Sequence, residues 1–238
     1  MIPCVLPESS VALLETQDTT IPMHDLLTDW AGRGWLRELD VAFARFLRRE
    51  VSDAPALLIL AAALTSHQLG RGHAALDLAA TLDDPAFALS LPPEGTYTHE
   101  SETLAKLPGE VLAGLTLEQW QAALDHPVVV ASGPGDTPLV RVGSRLYLRR
   151  YWQYEQDVRA GIDQRLQTSA SLQGALPLPE LRQTLDVLFP PASTAESTTN
   201  WQKLACALAT RCAFSIITGG TNKEKTTTVV KLLALLQA

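Results

Sequence analysis

Residues 53–72 read Asp53-Ala54-Pro55-Ala56-Leu57-Leu58-Ile59-Leu60-Ala61-Ala62-Ala63-Leu64-Thr65-Ser66-His67-Gln68-Leu69-Gly70-Arg71-Gly72. Proline fits the first turn of a helix, where its missing N–H has no intrahelical acceptor to lose. Leu57, Leu58, Leu60, Ala61 and Leu64 then place apolar side chains almost all round the cylinder. A helix without a solvent face belongs at the centre of a bundle. Gly70 is expected to end it, and Gly70-Arg71-Gly72 to form a tight turn before another short helix.

Composition supports a folded α-rich body around this helix. Of 238 residues, 46% are hydrophobic and 19% charged, enough apolar material for a core and too little charge for a mainly disordered chain. Before it, Leu39, Phe43, Phe46, Leu47 and Glu50 fall at helical spacing with four apolar members on one face, and Asp40 is a plausible start signal. Residues 1–22 contain three prolines and no clear period, and are expected to be a loose tail. After the central helix, the prolines and glycine of residues 82–107 predict a long connection. A helix over about 110–125 carries Leu112, Leu115, Leu117 and Trp120. The period then changes. Val128-Val129-Val130 and Leu139-Val140-Arg141-Val142 flank Ser132-Gly133-Pro134-Gly135-Asp136, and Gly143-Ser144 precedes Leu146-Tyr147-Leu148. That pattern predicts a small antiparallel β element of two or three strands. Helices over about 151–166 and 179–188 follow. Residues 191–199 have linker composition, so the expected organisation is an α-rich domain over 23–190 and a second domain from residue 200.

The net charge of −7 is unevenly spread. Residues 201–238 hold five of the 19 basic residues and one of the 26 acidic ones, a balance of +4 that leaves −11 for residues 1–200. Non-specific nucleic-acid binding by an acidic body is disfavoured, because phosphate contacts need a basic footprint. Anion chemistry is expected near the C-terminus. No apolar run approaches the ~20 residues of a membrane span. Cys4, Cys206 and Cys212 show no CxxC spacing, and no basic and apolar leader is evident. A reducing cytoplasm, no membrane and no structural zinc are the expectation.

Asn200 is a good N-cap for a helix in which Trp201, Leu204, Ala205 and Leu208 are spaced as one apolar face. Ala213-Phe214-Ser215-Ile216-Ile217-Thr218 suits a strand buried on both faces, as in a parallel sheet. Gly219-Gly220 ends it. Lys225 to Gln237 then reads as an apolar helix through Val229, Leu232, Leu233 and Leu236. Strand, glycine loop, Lys-Thr and helix are the parts of a phosphate-binding loop. There, loop amides and a helix N-terminus meet phosphates, the lysine meets the outer phosphates and the hydroxyl after it ligates Mg²⁺. Gly219 is then the first glycine, Lys225 the lysine and Thr226 the hydroxyl. Glu224 stands where a glycine is expected. Its side chain restricts the backbone, and its charge opposes an anion. At ~4 Å and an effective dielectric near 20, the cost is about 4 kcal/mol. Nucleotide binding should be poor or absent.

Asn200-Trp201-Gln202-Lys203, Arg211, Gly219-Gly220 and Lys225-Thr226-Thr227-Thr228-Val229 resemble the start of the motor domain of the RecD family, the alpha subunits of exodeoxyribonuclease V and superfamily 1 helicases. Upstream blocks fall in family order: Leu39-Asp40-Val41-Ala42-Phe43, Ser66-His67, Gly70-Arg71-Gly72-His73, Arg145 to Trp152, and Leu185 to Pro190. The resemblance covers about residues 35–238. It implies a component of a RecBCD-type complex in ATP-dependent DNA unwinding and double-strand-break repair. Residues 23–190 would contact another subunit, DNA would be reached through the complex, and residues 200–238 would begin a RecA-like P-loop α/β domain. It further implies ATP and Mg²⁺, with Gln202 on adenine, Gly219, Gly220 and Thr227 around the phosphates, Lys225 on the β/γ-phosphates and Thr226 on the metal. The sequence stops before the later helicase motifs. The expectation is an N-terminal fragment or a truncated, degenerate paralogue, inactive as a motor by itself. The alternative is a non-catalytic interaction module that docks on a partner.

Other polar groups carry weaker signals. His67 and His73 straddle a glycine turn without clustered carboxylates or cysteines, so hydrogen-bonded packing is expected over a metal pair. Ser132, Asp136 and His126 could be arranged as a triad, but their context is turn chemistry. Arg145, Arg149 and Arg150 could meet DNA or an acidic partner, with a solvated edge the commoner explanation.

Overall fold

The computed structural model describes residues 22–94, 106–190, 199–219 and 222–237. The expected tail over 1–22, apart from Pro22, and the expected linker over 191–199, apart from Thr199, lie outside the described residues. The chain forms two compact units, one ending at Gln153 and one beginning at Tyr154.

The first unit is built round the almost wholly apolar helix that follows Pro55. Helices α1 (Met23–Gly32), α2 (Glu38–Glu50) and α3 (Ala56–Gly70) come first. Every residue of α3 from Leu58 to Leu64 is 3% exposed or less. Pro55 precedes the first turn and Arg71 follows the last, so both ends fall where Pro and Gly placed them. The expected stripe of α2 is displaced, however. Leu39 and Phe46 are exposed, and the side facing the core carries Asp40, Val41, Ala44 and Leu47. Asp40 enters the third position of the helix, where its carboxylate accepts the Arg37 N–H at 2.9 Å. Buried there, it also accepts from the Arg37 guanidinium at 2.6 Å and from the Ser66 hydroxyl of α3 at 2.7 Å. The same guanidinium donates to the Ser66 carbonyl at 2.6 Å.

After the turn at Gly72 (φ 90°) comes a strand that the sequence reading did not find, β1 (Ala75–Asp77), and then α4 (Leu78–Asp83) and α5 (Pro85–Leu89). Asp77 caps α4 and Asp84 caps α5. The single helix expected over about 110–125 is two, α6 (Pro108–Val111) and α7 (Leu117–Ala123). Gly114, at φ 75°, breaks the run, and Thr116 restarts it by accepting the Gln119 N–H at 3.2 Å. Leu112 and Trp120 are buried as expected.

The sheet is mixed rather than antiparallel. Its strands are β2 (Val130–Ala131), β3 (Leu139–Val142) and β4 (Arg145–Leu148), with β1 on the far edge in the order β1-β4-β3-β2. β3 and β4 form the expected hairpin at Gly143-Ser144, and β1 pairs antiparallel to β4. β2 pairs parallel to β3. The Ser132–Asp136 connection is therefore not a tight hairpin turn. It swings round so that the chain re-enters in the same direction.

Helix α8 (Arg149–Ala175) begins in the first unit and runs on into the second. The second unit adds α9 (Leu178–Leu188), α10 (Trp201–Ala209) and α11 (Asn222–Gln237). Its small core contains Leu185, Phe189, Cys206 and Leu235. Asn200 caps α10 as expected, accepting the Lys203 N–H at 3.0 Å. The residues placed on the core face of α10 are not there: Trp201, Leu204 and Leu208 are exposed, while Cys206 and Ala209 are buried. In α11, Thr228 and Leu235 are buried, and Val229, Leu233 and Leu236 are exposed. The strand expected over 213–218 is absent. These residues have no strand pairing, and Ile216 is 76% exposed. A strand buried on both faces needs neighbours on both edges, and the second unit has no paired strand among its described residues.

Candidate functional site

The second unit places three of the six expected nucleotide residues, Gln202, Gly219 and Lys225, around one hollow of about 190 Å³, lined by α10, the segment up to Gly219, and the first turns of α11. Gln202 of α10 and Lys225 of α11 both line it, with Gly219 between them in sequence. The exposed Trp201 ring and Glu224 also contribute. Gly220 lies outside the described residues.

Helix phase decides which residues reach the hollow. Successive residues on an α-helix are about 100° apart. Lys225 and Thr228 share the inward side, and the Thr228 hydroxyl bonds back to the Glu224 carbonyl at 2.9 Å. Thr226 and Thr227 are turned away from it and exposed. Thr227 donates to the Lys223 carbonyl at 2.9 Å. The expected metal hydroxyl, Thr226, is thus not brought beside Lys225 at the hollow.

The start of α11 shows the consequence of Glu224. The polar loop expected before Lys225 is already helical from Asn222. A carboxylate in the first turn is stabilised by the positive end of the helix dipole, whereas glycine would favour a loop there. Glu224 is exposed, so water screens its repulsion of an anion. A dielectric nearer 80 brings the ~4 Å cost to about 1 kcal/mol, well below the figure for a dehydrated site. Gln202, Trp201 and Lys225 thus share the hollow, and Thr226 does not. Among the described residues, no group of three or more His, Cys, Asp or Glu side chains is arranged to hold a metal.

Comparison with known proteins places the first unit. The family profile of the RecBCD enzyme subunit RecD, N-terminal domain, matches residues 32–147. The RecBCD enzyme subunit RecD of Haemophilus influenzae is 34% identical over 183 residues, which is 76% of this chain and 27% of that protein. The chain belongs to the RecD family. It spans about a quarter of the length of that curated relative, and the profile match lies wholly within the first unit.

Within the first unit, several expected sites become structural. His67 is buried, with Nε2 3.0 Å from the Leu89 carbonyl and Nδ1 4.0 Å from Asp40. Burial holds its pKa below the ordinary value, against the opposing Leu89 hydrogen bond and Asp40 charge. His73 is exposed, so the two histidines do not form a pair. The Arg149 guanidinium donates to the Gly133 carbonyl at 2.7 Å and to the Thr137 hydroxyl at 2.6 Å, and lies 5.5 Å from the Trp152 ring centroid. It ties down the loop between β2 and β3. Ser132 and His126 line a common hollow with Arg141, but Asp136 does not, and no triad results. Sequence reading missed Arg37, whose contacts join α2 to α3, and the exposure of Trp201. For Trp201, its place at the very start of α10, beyond the packed turns, was the available signal.

Proposed function

We propose that the chain is the alpha-subunit-like component of an exodeoxyribonuclease V complex of the RecBCD type, serving ATP-dependent DNA unwinding and double-strand-break repair in the cytoplasm. Residues 23–190 act as the domain that docks on the other subunits. Residues 191–199 link it to the beginning of a P-loop ATPase domain over 200–238, and DNA is met through the complex. The observation that carries this reading is the RecD N-terminal domain over residues 32–147. The meeting of Gln202 and Lys225 at one hollow supports its nucleotide part. Gln202 would take the adenine edge, offering donor and acceptor together, with Trp201 beside it. Lys225 would meet the outer phosphates. ATP with Mg²⁺ is the implied ligand. The orientation of Thr226 and the charge of Glu224 favour weak binding, with the metal end poorly served.

Calorimetric titration of the chain with ATP and Mg²⁺ tests the nucleotide assignment. Glu224→Gly should tighten binding about fivefold, the equivalent of about 1 kcal/mol, and Lys225→Ala should abolish the gain. No heat from either protein, together with retained association with the other subunits, would instead support a non-catalytic interaction module. The helical first turn of α11, carrying Glu224, is what favours that second reading. Failure to associate with the other subunits would overturn both.

A further inference from the structure

The first unit carries an apolar groove with a basic rim between α1, α2 and α3. Its volume is about 210 Å³. Leu27, Val41, Ala44 and Ile59 make its floor, all 3% exposed or less. Arg45, Arg48 and Arg49 stand along one side of it, all exposed. Their i, i+3, i+4 spacing on α2 puts the three guanidinium groups on one flank of the helix, with Cβ atoms ~5–6 Å apart. The lining contains no Asp or Glu. Glu50 pairs with Arg49 at 2.9 Å and offsets part of the rim charge, and Asp25 lies 3.1 Å from His24. Arg45 donates to the Thr28 hydroxyl at 3.0 Å, which leaves its positive charge uncompensated by that contact. Arg49 also lies 5.5 Å from the centroid of the half-exposed Phe46 ring, which extends the apolar surface beside the rim.

This concentration of positive charge is set in a sequence whose first 200 residues sum to −11. The groove is smaller than the 300–1,000 Å³ of a typical small-molecule site, and its floor offers no polar group to orient a cofactor. A nucleic-acid backbone would satisfy the arginines and leave the apolar floor wet. An amphipathic protein segment satisfies both. Apolar side chains at helical spacing would enter the groove, and carboxylates one turn apart would meet the guanidinium row.

We infer that the α1–α2–α3 groove docks an acidic, apolar-anchored segment of a partner protein, with Arg45 and Arg48 selecting its charge. This deepens the reading of the first unit as a docking domain and rests on it for the partner's biological identity. The groove's chemistry is tested without the other subunits, so either can fail alone.

Fluorescence anisotropy of the full chain would use a labelled 16-residue amphipathic helix with leucines on one face and glutamates on the other. The comparison peptides carry lysine for glutamate, or serine for leucine. The glutamate peptide should bind at least tenfold more tightly than either, and more weakly as salt rises. Arg45→Glu with Arg48→Glu, both at exposed positions, should reverse the preference between the acidic and basic peptides while circular dichroism stays unchanged. Equal binding of the two charge forms, or a preference that survives the reversal, would overturn the inference. Displacement of the peptide by a short DNA duplex would overturn it in favour of nucleic acid. Binding seen only after removal of residues 1–21 would overturn it in favour of this chain's own N-terminal segment, which carries Glu8, Glu15 and Asp18 and no basic residue.

Discussion

Asp40→Ala should be the most damaging single polar change in the first unit. The carboxylate is fully buried and joins three things: the amide at the start of α2, the Arg37 guanidinium, and the Ser66 hydroxyl of α3. Removing it leaves the Ser66 hydroxyl, 5% exposed as a residue, without that acceptor, at about 1–3 kcal/mol. Loss of the acceptor for the Arg37 amide costs about 1 kcal/mol, by analogy with helix capping. Breaking a buried ion pair by removing one partner costs about 3–5 kcal/mol in total. The Arg37 side chain is 45% exposed, so it regains water when unpaired and the lower end applies. We therefore expect about 3 kcal/mol, which is about 6–12 °C in Tm for a unit of this size. Urea denaturation followed by circular dichroism measures it. Asp29→Ala breaks only an exposed i,i+4 pair with Arg33 and should cost under about 1 kcal/mol. A double-mutant cycle of Asp40→Ala with Ser66→Ala should show coupling of about 1 kcal/mol or more. Asp40→Ala losing no more than Asp29→Ala, or a cycle that sums to zero, would refute the keystone role.

Two further changes probe the same corner. A Cβ at Gly70 would overlap the Arg37 guanidinium, so Gly70→Ala should cost about 1–3 kcal/mol by displacing it from Asp40 and the Ser66 carbonyl; in an Arg37→Ala background the same substitution should be nearly neutral, and an equal cost in both backgrounds would show that the clash lies elsewhere. Burial disfavours the charged form of His67. Its folded pKa lies below its unfolded value of about 6.5, so the unfolded chain binds the proton first. Its contribution is present above that value and is lost as pH falls below it towards the folded pKa. Stability measured from pH 7.5 to 5 should fall for the natural chain and fall less for His67→Gln, and parallel curves would show that another group titrates.

The sequence by itself determined where an apolar helix must be wholly buried. Leu58–Leu64 has no polar face to turn outward, so no choice of neighbours could expose it cheaply. It also located the β3–β4 hairpin and the cap at Asn200, because these signals are local and carry their own hydrogen-bond partners. Tertiary structure decided the rest. Period gives the spacing of an apolar stripe but not which of two adjacent stripes meets a neighbour. Leu39 and Phe46 lost to Val41 and Ala44 on α2, and Trp201, Leu204 and Leu208 lost to Cys206 and Ala209 on α10. Strands are decided by partners: three residues at Ala75–Asp77 became one because β4 offered an edge, and the six apolar-rich residues at 213–218 did not because nothing pairs with them. The hollow was partly legible, since Gln202 and Lys225 were both named from sequence. That Thr226 turns away from it follows from α11 beginning at Asn222, three residues before Lys225, which fixes the rotation of every side chain after it.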